Sequence, residues 1–256
     1  MRKIIDSPNY DLGQHVIPIS SLDNALADYR STPRAPLIQY FNVDALIRDC
    51  RDKYPSLSKN SIICAAITKA IYAINVQEKA VDAKHNISFK MVSDILSPGM
   101  RQQYSGNYIA FVPVTVDGEK LLEDIAYDIN CTVVDFKENE LDTSVFALTE
   151  EAIRNALVGT ADDPLSFIVT NWNNFSFIET KDFLLNCQSI RHQSGVNINP
   201  KDSLGAALVN RPVLVINFSP DGELCISQFP SLSLPTVNDN FAQHLNIVLQ
   251  HEDVSR

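Results

Sequence analysis

The chain has 256 residues, of which 45% are hydrophobic and 20% charged, and it carries a formal net charge of -10. That size and balance suit a compact globular core, and 13 Pro against 8 Gly favour rigid turns over flexible loops. The negative charge, with no cluster of Lys and Arg, excludes a nucleic-acid partner held through phosphates.

Residues 1–20 lack the pattern of a signal peptide, and the longest apolar run, Ile62 to Val76, is short and interrupted by Lys69. The five cysteines, Cys50, Cys64, Cys131, Cys187 and Cys225, are widely spaced and form neither a CxxC pair nor a metal-binding pattern with histidine. A cytoplasmic protein is expected, with free thiols, no membrane span and no metal.

In chain order, residues 1–39 are punctuated by proline and are expected to be irregular, with "STPRAPLIQYF" an extended lead into the first helix. Residues 40–256 are expected to form a single domain. Asn42 is a suitable N-cap for a helix over Val43 to Lys53, stopped near Pro55. In "SKNSIICAAITKAIYAINVQEKA" the isoleucines recur at three- and four-residue steps, which predicts a second helix with a broad apolar face.

"NISFKMVS" reads as a strand, and Gly106-Asn107 turns into another from Tyr108 to Val116. Glu119 to Phe136 and Thr143 to Val158 read as amphipathic helices. Ser166 to Thr170 is a short buried strand ending in an asparagine-rich turn around Trp172. Pro212 to Phe218 and Leu224 to Phe229 form a hairpin across Pro220-Asp221-Gly222, and a last helix covers Asn238 to Gln250. Hairpin strands mixed with helices predict a mixed, two-layer α/β fold, a sheet with helices packed on one face, and not a doubly wound parallel sheet.

No GxGxxG, GxxxxGK[ST] or GxSxG motif is present, so neither nucleotide cradles nor a nucleophile elbow is encoded. Two other segments carry a specific pattern. "VTNWNNFSFIETKDF" resembles the "VTSW…FPFYEVDFGWG" stretch in the second half of the BAHD and trichothecene-acetyltransferase type of coenzyme A-dependent acyltransferases. "ILSPGMRQQYSGNYIAFVPVTV" is similar to that family's "RLxPPLPxxYFGN" segment, with Pro98, Tyr104, Gly106 and Asn107 at the corresponding places. The likeness runs from about Tyr40 to the end and matches mainly the second half of the family.

The resemblance implies a chloramphenicol-acetyltransferase-like sheet and transfer of an acyl group from acyl-CoA, a co-substrate and not a tightly bound cofactor, to the oxygen or nitrogen of a small-molecule acceptor in secondary metabolism. It also implies that Asn107, Thr170 and Asn171 lie near the coenzyme. The family's base is a histidine in an HxxxD motif, and this chain departs from that pattern. His15, His85, His192, His244 and His251 are followed four positions later by Ile19, Phe89, Val196, Val248 and Ser255.

His192, beside Arg191, and His85 are the candidates for an unorthodox base, or a second chain supplies the missing half. The family's Asp-x-Arg is replaced by Met91, Val92 and Ser93, and its DFGWG by Asp182-Phe183-Leu184-Leu185-Asn186. A non-catalytic half-fold that binds a small ligand or a partner subunit, or a truncated and inactive acyltransferase, explains the same departures. An asparagine-rich turn that satisfies its own backbone equally accounts for Asn171 without a ligand.

Overall fold

The computed structural model describes residues 17–18, 37–77, 86–95, 100, 109–141, 144, 157–158, 167–171, 213–218, 222–229 and 235–249. In chain order the elements are β1 (Ile17–Pro18), β2 (Leu37–Phe41), α1 (Asp44–Lys53), α2 (Lys59–Gln77), β3 (Asn86–Asp94) and β4 (Ile109–Asp117). They continue with α3 (Leu122–Glu138), β5 (Leu157–Val158), β6 (Phe167–Asn171), β7 (Val213–Phe218), β8 (Leu224–Phe229) and α4 (Pro235–Leu249).

Six strands form one mixed sheet in the order β2-β8-β7-β6-β3-β4. The β3-β4, β7-β8 and β2-β8 pairs are antiparallel, whereas β6 lies parallel to both β3 and β7. This is the mixed two-layer arrangement expected from the sequence. Pro113 fits within β4 because that strand is an edge of the sheet, where a missing N–H breaks no ladder bond.

The alternation of the strands sorts their residues between two faces. Ile87, Phe89, Val112, Val114, Val116, Phe167, Val169, Leu214, Ile216, Leu224 and Ile226 share the core with the four described helices. Phe89 and Phe167, in register on neighbouring parallel strands, stack with ring centroids 4.6 Å apart. The opposite face is also withdrawn from solvent at its centre, where Val215, Asn217, Cys225 and Ser227 are buried.

Helix α2 is more deeply enclosed than one broad apolar face requires. Ser61 through Thr68 are all buried in succession, as are Ala70, Ile71 and Ile74, because α2 packs against α1, α3 and α4 as well as β3. A helix apolar all round is stable only when surrounded. Each enclosed isoleucine contributes about 1.5–3 kcal/mol of transfer free energy. The two polar residues inside are satisfied locally: Thr68 Oγ1 donates to the Cys64 carbonyl at 2.9 Å, and Ser61 joins Ser58 and Asn130.

Helix α1 begins at Asp44, one residue later than expected, with Val43 and not Asn42 as its cap residue; Asn42 Oδ1 still accepts from the Asp44 N–H at 3.1 Å. The hairpin turn contains Gly222 at φ +91, a left-handed conformation that suits glycine.

Most boundaries shift by one to three residues from the sequence reading, and the larger differences are these. The helix expected over Thr143 to Val158 does not reach its end, because Leu157–Val158 pairs as a strand with Ile17–Pro18. The segment expected to be irregular up to residue 39 holds Ile17–Pro18 and the start of β2, whose Leu37 and Gln39 are in register with Gln228 and Ile226. Helix α4 begins at Pro235, earlier than Asn238, as the fixed φ of proline in a first turn permits.

Candidate functional site

Strands β3, β6 and β7 run in the same direction, so their C-terminal residues, Asp94, Asn171 and Phe218, reach the same end of the sheet. That end is where open α/β sheets most often receive ligands. Ile109, the first residue of β4 and two positions after Asn107, is in register with Asp94 at this same end. Asn107 itself lies outside the described residues, as do Trp172 and Asp182.

Thr170 and Asn171 are adjacent in β6, and a strand's period of two sends them to opposite faces. Thr170 is in register with Val215, on the face away from the helices, and Asn171 with Ile216, on the helical face. On its face, Asn171 donates through Nδ2 to Oδ1 of Asn60 in the first turn of α2. The two residues therefore do not line one surface. Asn171 ties the strand end to a helix, and Thr170 lies on the face opposite the described helices.

The first turn of α2 is densely cross-linked. Ser58 Oγ and Ser61 Oγ are 2.7 Å apart, and the Ser61 N–H donates to Ser58 Oγ at 3.0 Å. Asn130 of α3 accepts from the Ser58 N–H at 3.2 Å and from Ser61 Oγ at 3.3 Å. The Lys59 ammonium lies 4.9 Å from the centroid of Phe218, the last residue of β7. These bonds satisfy otherwise orphaned N–H groups of the helix start and fix the position of Asn60.

Around Thr170, the face opposite the described helices carries side chains that belong to no sequence motif. Val215 is in register with Ser227, and Asn217 with Cys225, which in turn faces Tyr40. Thr170 and Ser227 are thus two strand spacings apart, about 10 Å. The signal in the sequence was a hairpin whose alternate positions are Val215, Asn217, Cys225 and Ser227, small or polar residues in strands otherwise made for a core.

Among the described histidines there is only His244, and its Nε2 is 2.9 Å from Gln77 Oε1 at the far end of α2. Seventeen residues of helix separate Gln77 from Asn60, about 25 Å of rise. His244 is therefore no base for chemistry at the strand ends. His85 and His192 lie outside the described residues.

The buried thiols of Cys50 and Cys64 are equally unsuited to nucleophilic work. Burial, with Glu123 and Asp49 adding to it, pushes Cys50 up to about 11, and burial alone pushes Cys64 up to about 12. No group of three or more His, Cys, Asp or Glu residues capable of holding a metal occurs among the described residues. No described helix is long and apolar enough to cross a membrane.

No protein-family model matches the chain, and no curated protein sequence matches it. Solved structures do. "PapA2 acyl transferase" superposes with a TM-score of 0.53 at 11% identity, over 87% of this chain and 46% of that one. TRI101 of F. sporotrichioides, solved with coenzyme A and T-2, gives 0.55 at 16%, over 84% and 49%. Vinorine synthase gives 0.51 at 16%, over 86% and 49%. The chain therefore has a BAHD-like acyltransferase fold, and it spans about half the length of these structures.

Proposed function

We propose that the chain is the coenzyme-side half of an acyl-CoA-dependent O- or N-acyltransferase acting on a small-molecule acceptor, with a second chain supplying the catalytic histidine. The observation that supports this reading is the superposition of most of the chain on about half the length of acyltransferase structures, one of them solved with coenzyme A. The absence of any HxxxD motif in the sequence supports assigning the base to the other half.

In such a transfer the acceptor's oxygen or nitrogen attacks the thioester carbonyl carbon. The acceptor's proton passes to a base, the C–S bond breaks, and the departing thiolate takes that proton from the base to leave as the free thiol. A positioned base contributes about 10²–10⁴-fold to such a step. In this reading Thr170, on the face opposite the described helices, is the strand-end residue that hydrogen-bonds the coenzyme arm, and Asn171 holds the strand end in place through Asn60. Soluble secondary metabolism in the cytoplasm is the setting that this chemistry suggests.

The test is calorimetric titration of the purified chain with acetyl-CoA, followed by a thiol-release assay with and without an HxxxD-containing partner chain. Binding by the chain alone, with turnover only in the mixture, is expected. Absence of both binding and turnover in every combination overturns the reading. A second reading, a non-catalytic half-fold, is favoured by the position of His244, some 25 Å of helix from the strand ends. It is distinguished by ligand binding that persists while no partner restores turnover.

A further inference from the structure

Helix α3 is apolar on two lines. Its inner line, Ile125, Ala126, Ile129 and Phe136, is buried in the core. Its outer line is Tyr127, Cys131 and Val134, at four- and three-residue steps, which places the three on one stripe roughly opposite the inner line. Tyr127 and Val134 are each 43% exposed. Tyr54, immediately after α1, extends the stripe by stacking on Tyr127 with ring centroids 4.7 Å apart. Single exposed apolar residues are ordinary, but an ordered line of them behind an already buried face is not needed for folding.

The stripe is bordered by negative charge. Helix α3 carries Glu123, Asp124, Asp128, Asp135 and Glu138 against the single Lys137. Near its start these charges are compensated, since Lys53 pairs with Glu123 at 3.2 Å and Asp124 at 2.8 Å, and Lys120 with Asp128 at 2.7 Å. Asp135 and Glu138, beside Val134, make no ion pair among the described residues. The last two turns of the outer face therefore combine exposed apolar surface with two carboxylates that no described cation pairs.

That combination selects among occupants. A second copy would bring the same carboxylates and its own net charge of -10 against this face. An anionic membrane surface is repelled for the same reason. A cationic helix with an apolar seam meets both requirements at once. We propose that the outer face of α3, from Tyr127 to Glu138, docks an amphipathic helix of a partner protein whose apolar seam is bordered by Lys and Arg. This does not depend on the acyl-transfer reading.

A synthetic Leu/Lys amphipathic helix, titrated against the full chain by fluorescence anisotropy, tests it, with a Leu/Glu helix as the counterpart. The Lys helix is expected to bind and the Glu helix not. Val134→Ser, which leaves the net charge unchanged, and Asp135→Asn with Glu138→Gln are each expected to weaken binding at least about fivefold. Thermal melting establishes that Val134→Ser stays folded, as its exposure predicts. Unchanged affinity in Val134→Ser overturns the proposal, because bulk charge then explains the binding. So does sedimentation showing a wild-type dimer that Val134→Ser dissolves, because a second copy then covers the stripe.

Discussion

Asn171, the last residue of β6, and Asn60, in the first turn of α2, are joined side chain to side chain across 111 positions of sequence. The bond couples the end of the sheet to the helix most enclosed by the core. Asn171→Ala leaves a half-buried acceptor on Asn60 without this donor and is expected to cost about 1–2 kcal/mol. Asn60→Ala is expected to cost a similar amount and the double variant less than the sum, because the two losses are one interaction. Urea denaturation of the four proteins measures this. Fully additive effects would show that the pair has no structural role.

Thr170 sits on the other face of the same strand, in register with Val215. Thr170→Val keeps the branched shape and removes only the hydroxyl, so stability is expected to change by less than about 1 kcal/mol. If the hydroxyl hydrogen-bonds the coenzyme, acetyl-CoA affinity falls about 5–10-fold, the worth of one such bond. Calorimetry on a variant with an unchanged melting temperature reads the two effects separately. Unaltered affinity removes Thr170 from the site.

The elements most legible in the sequence were those whose burial follows a simple period. Strand β4 and the pairing of β7 with β8 appear as read, because one face of each strand is dictated by the core. Leu157–Val158 was not legible as a strand, because two residues carry no period and their pairing with Ile17–Pro18 is fixed by distant chain. The candidate site was half legible: the strand end at Thr170 and Asn171 was visible in composition and their division between two faces follows from the strand period, but which of them takes the helical face depends on which residue pairs with Val215. The polar line of Asn217, Cys225 and Ser227 was hidden because single polar residues within apolar strands look like noise until the register aligns them.

Asp124 accepts from the Lys53 ammonium and the Tyr54 hydroxyl, each at 2.8 Å. The Lys53 bond first, then the Tyr54 bond, holds its carboxyl below the ordinary value of 3.8. A depressed folded-state value means that the contribution is present above the unfolded value and is lost as pH falls through the folded one. Asp124→Asn is therefore expected to melt lower than wild type at neutral pH, with a gap that narrows below about pH 4 and then closes. The gap is small because the pair lies at the surface. Melting temperatures across the acid range measure it, and a gap that widens toward low pH contradicts the assignment.

Gly118, in the turn between β4 and α3, lies against Tyr72 of α2 so closely that an added Cβ would be 2.8 Å from Tyr72 Cβ, Cγ and Cδ2. The turn has little freedom to retreat, because Lys69 of α2 donates to the carbonyls of Gly118 at 3.0 Å and Lys120 at 3.2 Å. Gly118→Ala is expected to cost about 1–3 kcal/mol through overpacking. Adding Tyr72→Ala recovers only part of this, since the ring is removed but its Cβ stays in contact. Gly222→Ala makes the informative control: nothing lies within 4 Å of its Cβ position, yet its φ of +91 is strained for alanine. Its cost, about 1–2 kcal/mol, comes from the backbone and is unaffected by Tyr72→Ala. Chemical denaturation of the single and double variants separates the two cases, and equal rescue of both by Tyr72→Ala would show that the close approach at Gly118 is not what requires glycine there.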